Sequence, residues 1–66
     1  MINALRKKYE AEVAAAKVNI DVYIKNPVGI GEHPDLAAAI DSQIDVLSHA
    51  EDKLEVLMKH FGDEVI

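Results

Sequence analysis

The chain has 66 residues, half of them apolar, a net charge of −5 and no cysteine. Disulfides, thiolate-bound zinc, iron–sulfur clusters and cysteine nucleophiles are therefore excluded, and the apolar content is too high for a disordered polymer. A chain of this size buries only about 60% of the surface its unfolded form exposes, so some further stabilising device is needed, and the one expected here is a second subunit.

The charge is unevenly spread. Residues 1 to 33 carry five basic and four acidic side chains, whereas residues 34 to 66 carry two and eight. Binding to phosphate backbones needs clustered Lys and Arg to displace counterions. Only Arg6, Lys7 and Lys8 cluster, so no nucleic-acid partner is expected. No apolar run approaches the roughly 20 residues that cross a bilayer, so no membrane partner is expected either. The first residues place their charges after their few apolar side chains, which is not the order of a secretory signal, and the expected location is the cytoplasm.

Ile2, Leu5, Tyr9, Val13, Ala16, Ile20 and Ile24 recur at steps of three and four, the mark of one apolar helix face. They predict a helix over about residues 3–25, some 33 Å long, with Asn3 as its N-cap. Ala11, Ala14, Ala15, Val18 and Val22 form a second, smoother stripe almost opposite the first. One neighbouring helix cannot cover both faces, and Ala11, Ala15, Val18 and Val22 are accordingly the candidate dimer face.

Residues 26–33 read as a linker. Pro27 has no N–H and disfavours helical geometry in the residue before it, so it is expected to stop the first helix at about Asn26. Pro34 suits the first position of a second helix, with His33 as N-cap and Asp35 in the first turn. Gly29 and Gly31 allow a tight turn, and Val28 and Ile30 are expected to pack, making the linker an ordered plug. Val28, Gly29, Ile30, Gly31, Glu32 and His33 form the candidate partner-binding loop.

The second helix is predicted over about residues 34–61. With Ile40 at heptad position a, Leu47, Leu54 and Phe61 are also a; Leu36, Gln43, Ala50 and Leu57 are d; Ile44 and Met58 fall at e. Lys59 and His60 suit the negative end of the helix dipole. Gly62 is placed for a left-handed cap, and residues 63–66 are expected to fray unless Val65 and Ile66 find a groove. Gln43 breaks the apolar pattern. It either reaches water at the bundle edge or pairs with a polar group and fixes register.

Little in the sequence points to catalysis. Ser42 and Ser48 are the only serines, and Ser48 projects away from its neighbour His49 on a helix. Asp41, Asp45, His49 and Asp52 share a helical stripe, but one facing away from Leu47 and Leu54, as solvated charges do. No metal and no cofactor are expected. Gly29 and Gly31 would make a poor phosphate cradle beside Glu32 and Asp35. His33-Pro34-Asp35 resembles the signature loop of J-domain co-chaperones, but only over three residues and without that family's basic preceding helix.

The loop Asn26-Pro27-Val28-Gly29-Ile30-Gly31-Glu32-His33-Pro34-Asp35, with Leu5-Arg6-Lys7-Lys8-Tyr9-Glu10 before it and Ala50-Glu51-Asp52-Lys53-Leu54-Glu55-Val56-Leu57 after it, resembles small uncharacterised helical-hairpin proteins of T4-like tailed phages. The resemblance implies a phage setting, hence the host cytoplasm, and brings no site residues with it. The expectation is one all-α domain over residues 1–66: an antiparallel two-helix hairpin that dimerises into a four-helix bundle. Its expected function is noncatalytic, self-association and binding of another protein. Two alternatives are a virion structural or accessory component and an acidic inhibitor mimicking nucleic acid.

Overall fold

The computed structural model describes residues 1–26 and 35–65. Two α-helices dominate it, α1 over Ile2–Lys25 and α2 over Leu36–Phe61, and a 3-10 turn, Gly62–Glu64, follows directly. The described residues are all helical or irregular, with no strand among them. Asn19 meets Gln43 and Tyr9 meets Lys53, so early residues of one helix lie beside late residues of the other: the pair is antiparallel. Asn19 and Tyr9 are ten residues apart, as are Gln43 and Lys53, so the two helices stay in step along their length. No helix among the described residues is long and apolar enough to cross a membrane.

The helix ends differ from expectation in ways their chemistry explains. Met1, not Asn3, is the N-cap of α1, and it makes no side-chain cap bond. Asn3 lies inside the helix, where its Oδ1 accepts from Arg6 Nε at 3.1 Å and Nη2 at 2.8 Å. A charged donor three residues on competes successfully for the oxygen a cap would use. At the other end α1 stops at Lys25, and the Asn26 N–H still donates to the Val22 carbonyl at 2.8 Å.

Helix α2 opens on Asp35, whose Oδ1 accepts from the Ala38 N–H at 2.9 Å. Asp35 is therefore the cap and not a first-turn residue. A carboxylate acceptor outranks histidine in that role and contributes on the order of 1 kcal/mol. The candidate loop, residues 28–33, lies outside the described residues together with Pro27 and Pro34. Gly62 shows φ −59° and ψ −28°, ordinary right-handed values, so the expected left-handed cap is absent. The chain tightens there into the 3-10 turn, closed by Val65 N–H donating to the Gly62 carbonyl at 3.2 Å. Residues 63 and 64 thus continue the helix where fraying was expected, and Val65 is half-buried.

The seam between the helices is thin. Among the described residues only Ala16 (1% exposed), Ala50 (3%) and Leu57 (6%) are buried. Ile2, Leu5, Tyr9, Val13 and Ile20 of α1 and Leu36, Ile40, Leu47 and Leu54 of α2 are half-buried, lying along the same seam. Ile24 departs from the expected face and is 63% exposed, while Tyr23 turns inward in its place. The inward set Tyr9, Ala16, Tyr23 steps by seven, the repeat that keeps a residue on a straight seam between two helices, and Ile24 falls one position past it.

The molecule is a rod of 46 × 15 × 15 Å with a radius of gyration of 14.7 Å, against about 11 Å for a compact chain of this length. Its accessible surface is 4938 Å², whereas a compact monomer of 7.3 kDa exposes about 4,170 Å².

Candidate interaction surface

Three surfaces compete for a functional role. The first is a polar margin of the seam. Asn19 Nδ2 donates to Gln43 Oε1 at 3.1 Å, so the residue that breaks the heptad pattern of α2 finds its partner on α1 of the same chain. Beside it Lys53 Nζ stands 5.7 Å from the centre of the Tyr9 ring, within the range of a cation–π attraction. Both contacts link the helices and hold the register. A double-mutant cycle on Asn19→Ala and Gln43→Ala should return a coupling of about 0.5–1 kcal/mol, the low end for a hydrogen bond because both groups see water. Additive single-mutant losses in denaturant unfolding would show that this bond does not set the register.

Glu12 belongs to the same margin. It is half-buried, its Oε1 is shielded from solvent, and that atom has no hydrogen-bond partner among the described residues. By helical spacing alone Glu12 falls with Lys8 on a charged strip between the two apolar faces of α1. The signal that would have found it is the run Leu5, Tyr9, Glu12, Ala16, Asn19, Tyr23, whose alternating steps of four and three put all six on one seam.

The second surface is a groove of about 280 Å³ lined by Tyr9, Asp52, Lys53, Val56, Leu57 and Phe61. Sites for small molecules enclose roughly 300–1,000 Å³, so this one falls just below that range. It brings one carboxylate, one ammonium and one phenol ring to an apolar wall.

The third is the exposed apolar surface. Met1, Val18, Val22, Ile24, Ile44, Val46, Val56, Met58 and Phe61 are all large, apolar and exposed. The sequence-derived dimer face, Ala11, Ala15, Val18 and Val22, is exposed throughout, with Val18 at 61%. At about 100° per residue it lies on the side of α1 turned away from α2. Ile44 and Met58 border the seam on α2 at 44% and 43% exposure.

The remaining sequence candidates stay apart. Asp41, Asp45, His49 and Asp52 are exposed, and among the described residues no three acidic or histidine side chains come close enough to hold a metal ion. Ser48 Oγ donates to the Asp45 carbonyl at 3.1 Å, a local helix contact that leads away from His49. Arg6 is drawn to Asn3 and, at 3.6 Å, to Glu10, while Lys25 pairs with Asp21 at 3.1 Å. Pairs of this kind within one helix contribute about 0.3–0.5 kcal/mol and define no site.

The fold and its surface define a class: a two-helix antiparallel pair with large apolar side chains exposed on both helices. Compared with models of known families, with curated proteins and with solved structures, the chain matches none.

Proposed function

We propose that the protein is a noncatalytic helical hairpin that works by protein–protein contact, first with a second copy of itself in a four-helix bundle and, in that form, with another protein. The observation carrying this reading is the balance of its surface: among the described residues nine large apolar side chains are exposed against three buried residues, two of them alanines. A stable monomer rarely leaves that proportion of its apolar side chains in water. The resemblance of its loop and helix ends to small phage proteins supports a setting in the host cytoplasm, where an acidic, cysteine-free chain meets no chemical obstacle.

Sedimentation equilibrium at micromolar concentration tests it. The expected mass is twice the 7.3 kDa of the chain. A single species at 7.3 kDa up to about 100 μM would overturn the reading, since that weakness corresponds to less than about 5.5 kcal/mol of association.

A further inference from the structure

Both helices lean their apolar residues toward the same side of the pair. On α1 the seam residues Tyr9 and Ala16 are followed four positions later by Val13 and Ile20; on α2, Ile40 and Leu54 are followed by Ile44 and Met58. Position four beyond a seam residue lies beside it around the helix, and in an antiparallel pair of right-handed helices these positions emerge on one common side. That side presents Val13, Ile20, Ile44 and Met58, with half-buried Ile40 and Leu47 as its floor. The opposite side carries the Asn19–Gln43 bond, Lys8, Glu12 and Lys53, interrupted by Val46 and bordered on α1 by the edge of the alanine and valine stripe at Val22.

We infer that a second copy of the chain seats on the Val13–Ile20–Ile44–Met58 flank, in preference to the alanine and valine stripe on the back of α1. The inference rests on the self-association proposed above and names its surface. Area supports the occupant. The chain exposes about 770 Å² more than a compact monomer of its mass, close to the roughly 800 Å² that each partner contributes to a standard interface. The gain from burial scales with apolar area, and the flank draws its Val, Ile and Met side chains from both helices, whereas Ala11, Ala15, Val18 and Val22 come from one.

Charge supports the same occupant. Helix α1 holds five basic and three acidic residues, helix α2 two and five. Arg6 continues the line of Val13 and Ile20 at a step of seven, and Glu51 lies midway between Ile44 and Met58; Glu10 and Lys17 border the flank on α1, Asp41 and Glu55 on α2. A second copy turned so that its α2 lies beside α1 sets Arg6 and Lys17 against Asp41, Glu51 and Glu55, with Glu10 already drawn to Arg6.

The test compares substitutions matched in exposure. Ile44 and Val46 are 44% and 43% exposed, on opposite sides of the pair. In sedimentation equilibrium with helicity followed by circular dichroism, Ile44→Glu should weaken the dimer about 100-fold or more, because each interface then buries two carboxylates. Met58→Glu should act in the same direction at the other end of the flank, which keeps the result independent of any folding defect particular to Ile44→Glu. Val46→Glu and Ala15→Glu should stay within about threefold of the wild type, the range of surface substitutions. A wild-type dimer that survives Ile44→Glu and Met58→Glu but is lost in Ala15→Glu or Val46→Glu would overturn the flank and leave self-association standing. Equal loss in all four variants would also overturn the flank. A monomeric wild type would overturn self-association and the flank with it.

Discussion

Replacing Leu57 with alanine should cost about 3 kcal/mol, near the middle of the range for deleting a buried leucine side chain. Leu57 is 6% exposed and is the only large side chain buried among the described residues. The register that joins Tyr9 to Lys53 brings it opposite Leu5, so truncation empties the seam on both sides. A domain of this length is stable by roughly 3–10 kcal/mol in all. The variant should therefore lie at the edge of folding, where Phe61→Ala, at a site 48% exposed, should cost less than about 1.5 kcal/mol. Urea unfolding at fixed protein concentration is the measurement, because association adds a concentration-dependent term. Equal losses for Leu57→Ala and Phe61→Ala would show that the seam is not the core.

Replacing Glu12 with leucine should raise stability by about 1–2 kcal/mol. The shielded Oε1 of Glu12 accepts no hydrogen bond among the described residues, and an unsatisfied buried acceptor carries a desolvation cost of about 1–3 kcal/mol. Leucine removes that cost and adds apolar surface beside Ala16 and Ala50. Glu12→Gln keeps a shielded oxygen in place and should stay near the wild type, which separates the missing hydrogen bond from the loss of charge. For a domain of this size 1 kcal/mol moves the melting temperature by about 4–8 °C, well within calorimetric reach. A lower melting temperature for Glu12→Leu would mean that the carboxylate is solvated or paired in solution.

Much of the architecture was legible because helix periodicity is a strong local signal. The heptad set Ile40, Leu47, Leu54 with Leu36, Ala50 and Leu57 lies along the seam, and Gln43 stood out as a polar break before its partner was known. The boundaries were less legible. Asn3 and Asp35 are both good cap residues by type, yet one is held by Arg6 and the other caps α2. Only competition between nearby donors decides which oxygen is free. Tyr23 and Ile24 show a second limit: adjacent apolar residues both fit a 3.6-residue period, and the rotation of one helix against its neighbour decides which is covered.

The interaction surface was less legible still. Two apolar stripes on α1 imply that something besides α2 covers the helix, but the sequence of one helix cannot say which stripe the pair presents as a common flank. That depends on the relative rotation and register of α1 and α2, a long-range property set by contacts such as Asn19 with Gln43. Ile44 and Met58 were visible as heptad neighbours of the seam. Their alignment with Val13 and Ile20 required the antiparallel pairing.

The antiparallel path also sets an order in time. The register set by Asn19 with Gln43 and Tyr9 with Lys53 puts Tyr23 level with Ala39, closing a short loop, and Leu57 level with Leu5, closing one that spans nearly the whole chain. Loop closure costs more entropy as the loop lengthens, so the pair zips from the linker outward and its largest buried side chain locks in last. The loss from Leu57→Ala should consequently appear as faster unfolding with a nearly unchanged folding rate. The end of the rod that holds the most buried large side chain is, on this topology, also the first to open.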